Sequence, residues 1–202
     1  AVRDALRMCP TEVPASLSIP AHKALDAVAQ RLALGVDHTV VALFGGTGSG
    51  KSSLFNALTQ LNFADVGARR PTTSRAAACS WGDDAGPLLD FLGVSSERRI
   101  RRESILDAGD QGSMSGLVLL DVPDYDSVTT EHSLQVDRLV PLADILVWGV
   151  DPQKYADAAL HDGYLRGLGA RQEDMLVLVN QVDTLPESGL ASLLDDVGSL
   201  LK

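Results

Sequence analysis

The sequence predicts an α/β fold with a mostly parallel sheet covered by helices. Three observations lead there. Apolar runs of strand length recur at Thr39 to Phe44, Gly116 to Asp121, Asp144 to Val150 and Met175 to Asn180, and the first two read as buried strands. Helical spacing fills the stretches between them, which implies right-handed βαβ units. The first run ends in glycines and leads through a glycine-rich turn directly into a helix.

The elements follow in order. Ile19 to Leu34 carries Leu25, Val28, Ala29 and Leu32 at helical spacing behind a Ser18-Ile19-Pro20 start signal. Residues 1–37 are therefore read as an N-terminal helical segment, and 38–202 as the α/β domain. After the strand at Thr39 to Phe44, Lys51 to Leu61 reads as a helix and Asn62 to Ser74 as irregular. Ala76 to Trp81 reads as a strand. Asp84 to Gly112 reads as helical and then loose, and its charge run of Arg98, Arg99, Arg101 and Arg102 as a solvated face without function. The strand Gly116 to Asp121 precedes a loop with Pro123 and a helix near Glu131 to Leu139. Asp144 to Val150 is a strand, Ala156 to Leu168 a helix, Met175 to Asn180 the last strand, and Leu190 to Leu201 the last helix.

The chain has 202 residues and a formal net charge of −10. That length suffices for one α/β domain with a full core. An acidic chain repels nucleic acid and anionic lipid, so neither is the expected partner. An anionic ligand must then be captured by a local device. The two cysteines, Cys9 and Cys79, lack metal-ligand spacing and read as packing residues of a protein from the reducing cytoplasm. No run approaches a membrane span, so membrane contact is expected only through parts outside this sequence. The missing initial Met and the end at Lys202 inside a helical pattern lead us to expect a piece of a longer chain.

That local device is Gly45-Gly46-Thr47-Gly48-Ser49-Gly50-Lys51-Ser52. The pattern G-x-x-x-x-G-K-S sits between a strand and a helix, the context of a phosphate-binding P-loop. Glycines let the backbone turn its N–H groups onto phosphates, and the helix N-terminus adds a favourable dipole. Gly46, Thr47, Gly48, Ser49, Gly50, Lys51, Ser52 and Ser53 are the candidate phosphate-binding residues. Lys51 is expected to reach the β- and γ-phosphates and the Ser52 hydroxyl to ligate Mg²⁺. The fold expected is the three-layer P-loop NTPase fold, with an N-terminal helical segment added.

Downstream elements choose the nucleotide. Asn180-Gln181-Val182-Asp183 resembles the N-K-x-D element of GTPases, with Gln181 where Lys is usual. By that resemblance Asn180, Gln181 and Asp183 bind the base, and Asp183 reads guanine, whose donors adenine lacks. Asp121-Val122-Pro123-Asp124 stands where GTPases carry D-x-x-G. Asp121 is then a Mg²⁺ residue, while Asp124 replaces the Gly whose N–H meets the γ-phosphate. Arg69-Arg70-Pro71-Thr72-Thr73-Ser74 resembles the switch I segment, which makes Thr73 the Mg²⁺-binding and catalytic Thr, with Thr72 beside it.

Together these runs resemble the Era/dynamin-like branch of P-loop GTPases from Thr39 to Lys202. Residues 48–58, 70–73, 121–127 and 151–157 look closest to YfjP-type GTPases of actinobacteria, which often continue into helical and membrane-spanning segments. The family's fifth motif would lie beyond Lys202. The resemblance implies GTP and GDP as ligands, Mg²⁺ as cofactor, and slow hydrolysis with Lys51 and Thr73 as the catalytic residues. Tyr125 stands where Ras-type enzymes place a Gln, and Gly48 where relatives activated by K⁺ carry an Asn. The alternatives are a non-hydrolysing nucleotide-binding module and, behind it, an ATPase, although an L-S-G-G-Q-like segment is missing. In dynamin-like proteins the loop matching residues 151–157 reaches across a G-domain dimer, so a nucleotide-dependent homodimer through that loop is a further expectation.

Overall fold

The computed structural model describes residues 13–35, 37–64, 75–102, 114–124, 136, 139–152 and 173–200. The chain divides into two compact units, Ala1–Asp37 and His38–Lys202. The first contains helix α1, Ala15–Gly35. Its first turn closes with Leu17 and Ser18 donating to the Pro14 carbonyl. The helix thus begins before the Ser18-Ile19-Pro20 signal, and Pro20 lies inside it, where it removes one main-chain hydrogen bond.

The second unit is built on six strands: β1 (Thr39–Gly45), β2 (Ala77–Trp81), β3 (Arg99–Arg102), β4 (Leu117–Asp121), β5 (Ile145–Val150) and β6 (Met175–Val179). Their order across the sheet is β3-β2-β4-β1-β5-β6. All neighbours pair in parallel except β2 with β4. Helices α2 (Lys51–Thr59), α3 (Gly86–Leu92) and α4 (Glu187–Leu200), with short 3₁₀ turns at Ser96–Arg98, Val140–Leu142 and Val182–Thr184, complete the described elements. This is the three-layer α/β P-loop fold, with β1 and β4 central.

Alternation along β1 assigns its side chains to two cores, because successive strand residues point to opposite faces. Val40, Ala42 and Phe44 join Leu88, Leu92, Val118, Leu120 and Trp148 on one face, where the Phe44 and Trp148 rings stack with centroids 5.0 Å apart. Leu43 joins Phe55, Cys79, Trp81 and Leu119 on the other. Phe55 is fully buried, worth about 1.5–3 kcal/mol, and it holds α2 to the sheet. Burial pushes the Cys79 thiol up to about 12, so it packs as an inert side chain.

The arginine run is not a simple solvated face: residues 99–102 form edge strand β3, parallel to β2. Arg99 pairs with Asp90 at 2.6 Å and donates to the Val94 and Gly86 carbonyls. Arg102 donates to the Thr59 carbonyl at the end of α2, where a cation offsets the helix dipole. The helix expected after Asp84 is the short α3, closed by Gly93 in the left-handed region. The helices expected over 131–139 and 156–168 lie largely or wholly outside the described residues.

Candidate nucleotide site

Everything in the site hangs on the carboxyl ends of β1, β4, β5 and β6. Gly45 and Gly149 face each other across β1 and β5. A Cβ on Gly45 would lie 2.4 Å from the Gly149 carbonyl oxygen and 2.5 Å from Ser49 Oγ, so only glycine lets the chain leave β1 here. Residues 46–49 then turn, with Ser49 N–H donating to the Gly46 carbonyl. Gly50 caps α2 at φ +89°, a backbone state that side-chain-bearing residues resist. Lys51 opens the helix, Ser52 is half-buried beside it, and Ser53 faces solvent.

Lys51 is 5% exposed. Its Nζ donates to Asp124 Oδ1 at 2.5 Å and to the Gly46 carbonyl at 3.3 Å. Asp124 is itself 5% exposed, so this is a buried ion pair. The loop that carries it leaves β4 through Val122, which is fully buried and donates its N–H to the Leu43 carbonyl.

Asp121 ends β4 and is fully buried. Its Oδ2 accepts the Ser52 hydroxyl at 2.6 Å. Its Oδ1 is buried without a hydrogen-bond partner. Burial pushes the carboxyl up to about 6, against the opposing pull of the Ser52 hydroxyl and the Lys51 ammonium. A buried carboxylate oxygen with no partner, next to a hydroxyl, is a hard-oxygen donor set suited to Mg²⁺. Ser49 Oγ is a second buried, unpartnered oxygen in the loop.

The segment after β6 is tied to the phosphate loop by two side-chain amides. Asn180 Nδ2 donates to the Ser49 carbonyl at 3.0 Å, and Gln181 Nε2 to the Gly48 carbonyl at 2.7 Å. The fit at Asn180 is tight: a Cβ on Gly50 would lie 2.1 Å from its Nδ2. Gln181 adopts φ +56° and starts a 3₁₀ turn over Val182–Thr184, whose Thr184 hydroxyl returns to the Gln181 carbonyl at 2.6 Å. Asp183 sits exposed in that turn.

The fold therefore brings together Gly46, Thr47, Gly48, Ser49, Gly50, Lys51, Ser52, Asp121, Asn180, Gln181 and Asp183. Thr73, Thr72 and residues 153–157 lie outside the described residues. Of the last loop, Asp151, buried, and Pro152 are seen at the end of β5. Two features escaped the reading of the sequence. One is the partner of Asp124. The other is Asn56, whose Oδ1 accepts the Phe63 and Ala64 N–H groups while its Nδ2 donates to the Ala64 carbonyl. Asn56 thereby anchors the chain where it leaves α2. Its place in the quoted run 48–58 was the only signal.

Strand, glycine loop, buried lysine and the amide-tethered segment after β6 define a P-loop nucleotide-binding protein. The chain belongs to the family of 50S ribosome-binding GTPases, whose model matches residues 40–181. It is thus a GTPase domain that binds guanine nucleotide. No curated protein matches the sequence. Among solved structures, it is similar to a member of an oligomerised bacterial dynamin pair, with TM-score 0.56 and 15% identity over 89% of this chain and 32% of that one. It is also similar to Era in complex with MgGDPNP and a segment of 16S ribosomal RNA, with TM-score 0.52 and 16% identity over 80% of this chain and 46% of that one. An Aquifex aeolicus Era variant bound to GDP and aluminium fluoride gives TM-score 0.50 and 16% identity over 79% and 46%. At such identities the likeness is one of fold, of the Era-like and dynamin-like kind. The chain spans less than half the length of these proteins.

Proposed function

We propose that this chain is the G domain, residues 38–202, of a Mg²⁺-dependent switch that slowly hydrolyses GTP to GDP and phosphate, carried behind an N-terminal helical segment, residues 1–37. The observation that carries the reading is the meeting of Lys51, Ser52 and Asp121 at one end of the P-loop while Asn180 and Gln181 clamp its back. In this reading the loop N–H groups and Lys51 hold the phosphates. Ser52 and Asp121, with Thr73, would hold Mg²⁺, which would neutralise charge on the terminal phosphates. The turn at Val182–Thr184 presents Asp183 to the guanine edge, and the two amide tethers fix its distance from the phosphate loop. A misplaced base would then carry misplaced phosphates, so recognition and positioning are coupled.

The motif runs favour a YfjP-type member of the branch, in the cytoplasm, with membrane attachment supplied by other parts of a longer protein. Among the described residues no helix is long and apolar enough to cross a membrane. The net charge of −10 disfavours a nucleic-acid partner. The loop 151–157 is the proposed contact of a nucleotide-dependent homodimer, and light scattering with a transition-state mimic tests it: a chain monomeric under every nucleotide condition removes the dimer.

Phosphate release with GTP and Mg²⁺, beside calorimetry with GTP, GDP and ATP, tests the main reading. Turnover of GTP and not ATP is expected. Equal binding of ATP and GTP defeats the base assignment. One observation favours the second reading, a non-hydrolysing guanine-nucleotide module: Asp124 occupies the lysine that hydrolysis requires. Binding without phosphate release would establish it.

A further inference from the structure

We infer that Asp124 is an internal competitor of the γ-phosphate for Lys51 and sets the balance between GTP and GDP in this site. The inference rests on the guanine-nucleotide reading above and deepens it. The ammonium of Lys51 and the carboxylate of Asp124 meet at 2.5 Å with both side chains nearly sealed from solvent. A buried ammonium needs an anion, and without phosphate the anion is Asp124.

The position of the pair decides which phosphate it opposes. Mg²⁺, when bound, would be held by the P-loop hydroxyl and the carboxylate that ends the neighbouring strand, and would neutralise charge on the terminal phosphates. Here those groups are Ser52 and Asp121, joined at 2.6 Å. Asp124 follows Asp121 by three residues and reaches Lys51 from that same side. The β-phosphate, which Lys51 also reaches, has the loop N–H groups to hold it. The γ-phosphate depends on Lys51 and must enter beside a carboxylate that already holds it. Two anions cannot share one ammonium in a buried site at low cost, so a γ-phosphate has to displace Asp124, whereas GDP can bind with the pair in place. Val122 is anchored through its N–H and by burial, so the displacement starts after it, at Pro123 and Asp124. GTP binding therefore moves the chain at Asp124, and GDP binding does not.

The test titrates fluorescent GDP and a fluorescent non-hydrolysable GTP analogue, with Mg²⁺, into the whole chain and its Asp124→Asn and Asp124→Gly variants. Circular dichroism verifies the fold of each, and the asparagine variant keeps the side-chain volume. Affinity for the GTP analogue should rise at least about tenfold, and affinity for GDP by less than about threefold. The ratio of the two affinities is the readout, because a loss of fold lowers both together. Equal changes for the two nucleotides, or none, overturn the competitor role while leaving the GTPase reading intact. A wild-type chain that binds neither nucleotide overturns the GTPase reading and this inference with it.

Discussion

Asp121 is held in a state that suits a metal and burdens the empty fold, and this can be measured. Its carboxyl is fully buried, with Oδ1 unpartnered, and is pushed up to about 6 from an ordinary 3.8. That gap is a cost of about 3 kcal/mol whenever the group is ionised in the metal-free protein. Asp121→Asn removes the charge and keeps an oxygen for the Ser52 hydroxyl. Its new buried N–H₂ gives back about 1–2 kcal/mol. The net gain is about 1–2 kcal/mol, or roughly 2–8 °C in Tm for a domain of this size. The assay is thermal unfolding in EDTA without nucleotide. The pH dependence has a definite sign. Between 3.8 and about 6 the folded protein binds the Asp121 proton more tightly than the unfolded chain does, so wild-type stability falls as pH rises through that window. The advantage of the variant is therefore full at pH above about 7 and shrinks as pH drops below about 6. With Mg²⁺ and GTP the order should reverse, because only the wild type can be stabilised through the metal. A variant less stable than wild type in EDTA at neutral pH, or a difference that ignores pH, would refute the reasoning.

Three further outcomes are expected. Lys51→Ala should weaken GTP binding by at least about 100-fold and destabilise the empty protein by about 3–5 kcal/mol, because Asp124 is left as an uncompensated buried charge; calorimetry and chemical denaturation read the two effects separately. Asp183→Asn should cost guanine nucleotides about 1–3 kcal/mol and shift preference towards xanthine nucleotides, and unchanged discrimination in competition binding would remove Asp183 from base recognition. Gly50→Ala should lower Tm, since the left-handed backbone alone costs about 1–2 kcal/mol in a residue with a Cβ. It should also weaken GTP, because the new methyl would lie 2.1 Å from Asn180 Nδ2 and force the base segment off the loop; a variant with wild-type Tm and affinity would show the clamp to be slack.

What could be read in the sequence was what neighbouring residues determine. The P-loop is contiguous, and its glycines meet local demands: the close approach at Gly45 and the left-handed cap at Gly50. The central strands announced themselves as apolar runs because a parallel sheet is buried on both faces. Strand β3 gave no such signal. Its Arg-Ile-Arg-Arg has one apolar residue, and it is a strand because Arg99 and Arg102 find Asp90 and the carbonyls of Val94, Gly86 and Thr59. Those are tertiary contacts, and they override a weak local preference.

The same division runs through the site. The tethers from Asn180 and Gln181 span 131 and 133 residues of sequence, so the motif identifies the residues and only the adjacency of β1 and β5, and of β5 and β6, brings them to the loop. Gln181 shows why a departure from a motif need not abolish its mechanics: the amide supplies the donor that reaches Gly48, and what it omits is the positive charge. Asp124 is the opposite case. In the sequence it was a carboxylate out of place in a D-x-x-G position, with its direction open. The pairing of Leu43 with Asp121 between β1 and β4 sets the loop after β4 beside the loop after β1, and from there Asp124 reaches the buried Lys51, 73 residues away in sequence. One departure preserves a contact and the other creates one, and in both it is the sheet order that decides.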